Sequence, residues 1–409
     1  MKRTARLFSA IVLLAVLFAC KTQEPVPEPA AEPAETFAPT PVPEEAVALA
    51  TSGPTAEPTS EPTEAPTPEP TPEPTPETVS SVWIFGREIA QDTETLDLSD
   101  TESPSPDELA AALPYLPALK TVALGKRDPA LAASFRAAFP DLTITAQYRF
   151  TYLGKELNES TEELNLSRTK IADAEKLCSV LTWLPALKRT ELSGCGLPNE
   201  TLAALRDEFP EKGIVWTVYL GYWGPLRTDA TAFTTRSSKR PDEIRYRLTT
   251  GSASPIQYCT ELVALDLGHQ QIEDISCFTS LTKLQVLILA DNQITDISAL
   301  ASMPELVYVE LFMNRISDLS PLSGLKNLKD LNVCANKIDD LSPLASVSSL
   351  ERLWCARNPF APEDCDALRA LLPDCEINNT AEDDTLDGWR THERYFWMRA
   401  FFENSPRYR

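Results

Sequence analysis

Apolar residues return every 22 positions through the second half of this chain. Successive segments begin at Leu262, Leu284, Leu306, Leu328 and Leu350. Within each segment apolar side chains favour positions 1, 4, 6, 11, 14, 17 and 20; in the third these are Leu306, Val309, Leu311, Ile316, Leu319, Leu322 and Leu325. The two-residue step from 4 to 6 predicts a short strand with one face inward. The later steps of three predict a tight 3₁₀-like turn, and Ser320-Pro321 and Ser342-Pro343 place a cap before proline there. A fixed period of this length predicts a stacked solenoid in which each coil buries its apolar side against its neighbours. Position 9 holds Asn292, Asn314, Asn336 and Asn358, expected inward as a ladder bridging backbone groups of adjacent coils. Gln270 takes that place in the first segment and predicts a less regular coil. Asp274, Asp296, Asp318 and Asp340 recur at position 13, where they can accept nearby backbone N–H groups.

An older duplication precedes the array. Phe85–Ile89 is matched 68 residues later by Leu153–Leu157, Leu96–Ser99 by Leu164–Ser167, and LPALK occurs at 116–120 and 184–188. Phe139-Pro140 corresponds to Phe209-Pro210 after a two-residue insertion, and a degenerate third start falls at Leu220-Gly221. Each module alternates strand and helix signals. Residues 81–226 are therefore expected to be irregular coils stacked directly on the array, 227–261 a joint ending in half a repeat, and 262–378 the regular array with a helical cap unit from Pro359 to Pro373.

The outward strand positions nominate a surface. Ile288, Tyr308, Phe312, Met313 and Trp354 form an aromatic and aliphatic patch with no core to enter, flanked by Glu310, Asp330, Asn332, Arg352 and Arg357. Exposed patches of that composition are what binding hot spots use. A partner on the patch is one reading, and cover by the chain's own tail is the other. Residues 379–409 comprise an acidic link and an aromatic tail, with Trp389, Tyr395, Phe396, Trp397, Met398, Phe401 and Phe402 crowding one short helix. That helix is expected to dock on the last coil, with a partner or membrane helix as the alternative.

The N-terminus carries an address. Lys2, Arg3 and Arg6 precede the apolar run LFSAIVLLAVLFA, which closes at Cys20. The run suits a signal peptide over 1–19 and is too short for a membrane span. The Leu17–Cys20 ending resembles the bacterial lipoprotein cleavage motif, which implies a diacylglyceryl lipid on Cys20; an ordinary signal peptide with a chance cysteine is the bland alternative. From Cys20 to Ser80 a stalk follows. Residues 21–80 hold 16 of the 35 prolines, 12 Glu and one Lys, a composition that stays extended and disordered. Of the net charge of −23, the stalk supplies about −11, and the acidic balance argues against a nucleic-acid surface.

Chemistry is sparse. His269 and His392 are the only histidines, and neither lies in a nucleophile motif. With no Gly-rich phosphate loop and no C-x-x-C, no catalytic residue, metal or cofactor is expected beyond the lipid on Cys20. Eight cysteines remain after Cys20; buried thiols are the simple reading, and Cys259–Cys277 and Cys365–Cys375 are the disulfide pairs to test.

Residues 262–371, with their L-x-x-L-x-L-x-x-N-x-I skeleton, resemble the leucine-rich repeat family, in the 22-residue class of internalin-like bacterial surface proteins. The resemblance implies an α/β solenoid with a curved parallel sheet on the concave face and helices or 3₁₀ turns on the convex face. It also implies a protein ligand in the concavity. The resulting expectation is a non-enzymatic, lipid-anchored protein of the bacterial envelope that binds a protein partner. A structural lipoprotein, or a glycan- or wall-binding module, is the alternative.

Overall fold

The computed structural model describes residues 81–236, 246–381, 384–385 and 388–403. The signal peptide, Cys20 and the stalk lie outside the described residues. The described residues divide into two compact units, one comprising 81–93 with Ala112–Pro117, the other Glu94–Ala111 with the described residues from Ala118 onward. In the first, strands Ser81–Ile84 and Arg87–Ala90 form an antiparallel hairpin.

The duplication appears as a repeated set of elements. Strands Thr95–Asp97, Thr121–Lys126 and Thr143–Gln147 form one parallel sheet; Glu163–Asn165, Arg189–Glu191 and Ile214–Val215 form another. Helices Pro106–Ala112 and Ala174–Trp183 start 68 residues apart, and Pro129–Ala138 and Asn199–Glu208 start 70 apart, the two-residue insertion made visible. Asp128 and Asp173 cap two of these helices by accepting Ala130 N–H and Lys176 N–H. The degenerate third start is a real hairpin, Thr217–Tyr219 against Pro225–Arg227.

Seven parallel strands then form a third, longer parallel sheet in strict chain order, from Ala232–Thr234 to Glu376–Asn378. Two expectations are corrected here. The modules do not continue this sheet, because antiparallel hairpins at Arg149–Asn158 and Thr217–Arg227 interrupt the parallel stacking; what continues is the apolar core, one cluster from Tyr152 to Cys375. Nor is 227–261 half a repeat. Ala232 pairs with Ala264, 32 residues on, whereas Thr249 bridges Gln271, 22 residues on. The joint is a whole coil lengthened by ten residues between those points.

Inside the array the coils repeat closely. Leu306, Val309, Leu311, Ile316, Leu319 and Leu322 are fully buried, and 3₁₀ turns such as Ser320–Leu322 and Ser342–Ser346 follow each strand. Each ladder Asn does what the pattern implied. Asn314 donates through Nδ2 to the carbonyls of Leu289 and Leu311, and accepts Ile294 N–H at 3.1 Å. Asn292, Asn336 and Asn358 make the same bonds in their own coils, one before and one and two after. Gln270 donates to the Gly268 carbonyl and accepts Leu248 N–H, a reduced version at the lengthened coil. Asp274, Asp296, Asp318 and Asp340 each accept the N–H two residues on, and those bonds hold the Asp296 and Asp340 carboxyls below their ordinary range. Position 8 has positive φ in all five coils, at His269, Asp291, Met313, Ala335 and Arg357. The chain turns off the strand there, and the Asn carboxamide that follows ties down the carbonyls thus freed.

The far end of the core is closed by helix Pro362–Leu371, which buries Cys365 and Leu368, and by the last strand. All eight described cysteines are free thiols, so neither tested pair is bonded. The thiol beside Cys365 is Cys355, not Cys375, and that contact with burial drives the Cys355 thiol up. Burial pushes Cys259 and Cys375 up to about 12.

Candidate functional site

The outward face of the seven-stranded sheet carries the nominated patch, and it is not open. Tyr308, Asp330, Asn332 and Trp354 have no exposure, and Ile288, Glu310, Phe312 and Arg352 are also buried. Only Met313 and Arg357 at position 8 remain substantially exposed. The expectation of an exposed patch is thus corrected. The cover is the chain's own C-terminal segment, a 3₁₀ turn at Trp389–Thr391 followed by helix Glu393–Glu403.

The tail's docking place is also corrected. It lies across the sheet face rather than on the last coil, because the last coil already has its own cap and the sheet face offers both apolar and charged partners. Trp389 enters a slot between Tyr308 and Trp354, with ring centroids 5.4 and 5.3 Å away. The Arg352 guanidinium lies 4.6 Å from the Trp389 ring centroid, and its Nη1 donates to the Trp389 carbonyl. Trp389 Nε1 donates to Glu310 Oε1 at 2.7 Å, and the Tyr308 hydroxyl donates to the same carboxylate. From the helix, Tyr395 and Met398 are buried in an apolar cluster with Ile288 and Phe312, and Phe401 and Phe402 pack at its edge.

Charge is matched as closely as shape. Asp330 accepts two bonds from Arg352, at 3.0 and 2.7 Å, and two from Arg394, at 3.0 and 2.9 Å. Arg394 reaches Glu351 as well, at 2.6 Å. A buried carboxylate is tolerated only with such partners. Burial drives the Glu310 carboxyl above its ordinary range, against the lowering effect of the Trp389 and Tyr308 donors; Asp266, on the same face, is raised for the same first reason. Asn332 Nδ2 donates to the Asp384 carbonyl, and Arg357 pairs with the Asp384 carboxylate. Trp354 Nε1 is buried with no acceptor among the described residues.

Sequence reasoning missed Arg394, Glu351, Asp384 and Asp266 as members of this constellation. The available signal was charge: Arg390, Arg394 and Arg399 on the tail against Asp266, Glu310, Asp330 and Glu351 on one sheet face and its rim.

A second concavity lies between the duplicated modules. It is an open cleft of about 1210 Å³ lined by Arg127, Tyr148, Phe150, Lys176 and Trp183 among others. Phe150 meets Trp183 edge-on at 5.5 Å, and Lys176 Nζ lies 4.5 Å from the Trp183 ring centroid. Among the described residues no group of three or more His, Cys, Asp or Glu gathers as a metal site, and no helix is long and apolar enough to cross a membrane.

The parallel one-strand coils, the Asn ladder and the 22-residue period define a leucine-rich repeat solenoid fold over residues 262–378. The family model described as leucine rich repeats in two copies matches residues 260–302, 282–324 and 304–346. Similar solved structures include internalin C2 of Listeria monocytogenes, 22% identical over 40% of this chain and 81% of that one, with a TM-score of 0.29. An internalin designated inlF from the same species is 20% identical over 73% and 86%, with a TM-score of 0.28. A leucine-rich repeat protein of Leptospira interrogans is 17% identical over 65% and 74%, with a TM-score of 0.29. No curated protein matches the chain.

Proposed function

We propose that this chain is an envelope lipoprotein that presents a leucine-rich repeat domain for protein binding through the outward face of its seven-stranded sheet. The repeat fold is a protein-interaction module. The observation that carries the reading is that this face already holds a polypeptide segment, through an aromatic slot and a carboxylate that grips arginine. A face built only to be covered needs neither a buried Asp330 nor a buried Arg352, since both lose hydration on burial. Cys20 supplies the lipid anchor, and the Pro/Glu stalk carries the domain clear of the membrane.

The test has two arms. Labelling cells with a palmitate analogue marks the wild-type chain and not Cys20→Ala; label on both removes the anchor. Pull-down from envelope material with the full chain, with and without soluble glycans, captures a protein that glycans do not compete off. The cleft lined by Phe150 and Trp183 favours a second reading, a glycan-binding module, since flat aromatic faces beside charged side chains suit sugars. Capture abolished by glycan, and by Trp183→Ala, would select that reading instead.

A further inference from the structure

We infer that the C-terminal segment is a displaceable stand-in for the partner, and that the partner presents a peptide with a tryptophan followed five residues later by an arginine at the start of a helix. The inference deepens the protein-binding reading above and rests on it.

Three observations carry it. First, the tail is not part of the array's core. The coil interior forms one apolar cluster, Tyr152 to Cys375, and the tail's contacts form another that shares no residue with it. The far end of the coil core is closed without the tail, by Cys365 and Leu368. Secondly, recognition is concentrated in two separable side chains. Trp389 fills the Tyr308–Trp354 slot and donates to Glu310, and Arg394 takes both oxygens of Asp330. A few aromatic and arginine anchors in desolvated pockets are how one chain holds another. Thirdly, among the described residues the slot leaves one donor unmatched. Trp354 Nε1 is fully buried and has no acceptor among the described residues, and a buried donor left unmade weakens the complex that buries it. A peptide that keeps the tryptophan and arginine and adds a carbonyl or carboxylate there outcompetes the tail. Without any occupant the face would leave Tyr308, Phe312 and Trp354 to water, so exchange of one peptide for another is the favourable route to binding.

The experiment uses the full chain and a synthetic peptide of residues 384–403. A full-length Trp389→Ala, Arg394→Ala variant has its tail weakened and its groove intact. We expect the peptide to bind this variant one-to-one and the wild type at least tenfold more weakly. A Trp389→Ala peptide should lose at least tenfold on the variant. In parallel, hydrogen exchange of the wild type should release the amides of 393–403 at least tenfold faster than those of 308–310 and 330–332. Equal exchange in tail and strands, or loss of cooperative unfolding in the variant, would make the tail a structural cover and overturn the inference. A folded variant that ignores the peptide overturns it too, as does a concentration-dependent dimer in which one copy's tail fills another's groove. Peptide binding without envelope capture shows a displaceable tail but rejects the protein-binding reading, and with it the partner's peptide.

Discussion

The two sides of one strand solve the same problem differently. On the inner side each regular coil turns an asparagine inward, and the backbone of its own coil and of the preceding one satisfies it. On the outer side Glu310, Asp330 and Arg352 are as hidden, and beyond Tyr308 and one another their partners lie on one distant segment that has no counterpart in the repeat. The ladder is redundant and local; the groove is singular and long-range. Polar groups that belong to the period therefore support the fold, whereas polar groups that break it point to an occupant.

The largest effect should come from the singular side. Asp330→Ala strands Arg352 in a buried site and removes the Arg394 anchor, a loss of about 3–5 kcal/mol in guanidinium unfolding. A loss under about 1 kcal/mol would mean that the groove relaxes and that the comparison overstates its rigidity. Asn314→Ala leaves the Leu289 and Leu311 carbonyls and Ile294 N–H unmade, at about 3 kcal/mol. That loss should appear in the exchange of the strands as well as the tail. If only the tail amides respond, the ladder is not what unites the coils.

The pH dependence sharpens the outer side further. Burial raises the Glu310 carboxyl, so the folded protein holds this proton to a higher pH than the unfolded chain. Between the ordinary carboxylate value and the raised one the folded state binds more protons, and stability falls as pH rises. Wild type minus Glu310→Gln should therefore be most favourable at the acid end of that window and decline toward neutrality. A flat difference would place Glu310 in water. Met313→Asn should be smallest, within about 0.5 kcal/mol, because the side chain is largely exposed and asparagine tolerates the left-handed φ of 57°. A larger loss would add Met313 to the groove.

Much of this was legible in advance, and the boundary has a physical cause. The Leu, Ile and Asn positions repeat, so each coil confirms the others, and the ladder, the position-13 aspartates and the cap helix were all readable. The whole coil at 227–261 was hidden because its ten extra residues break the interval. The patch residues were correctly sorted as pointing out of the core, yet Tyr308 and Trp354 are fully buried. Alternation along a strand tells which face a side chain takes; it is silent about what lands on that face from elsewhere. Arg394 was missed for the same reason, since nothing local to residue 394 refers to residue 330.

The separations along the chain set an order of events. Bonds of the ladder join residues 20 to 25 apart, whereas Trp389 reaches Glu310 across 79 and Arg394 reaches Asp330 across 64. Short loops close sooner and at lower entropic cost, and the tail leaves the ribosome after every strand it covers. The coils thus assemble with the groove bare, and the tail shuts it as a final act. A molecule that has lost residues 379–409 to a nick would return to the unfinished appearance, with its aromatic slot facing solvent. The closed groove is in this sense a mark of completion, by which an intact copy differs in surface from a nicked one.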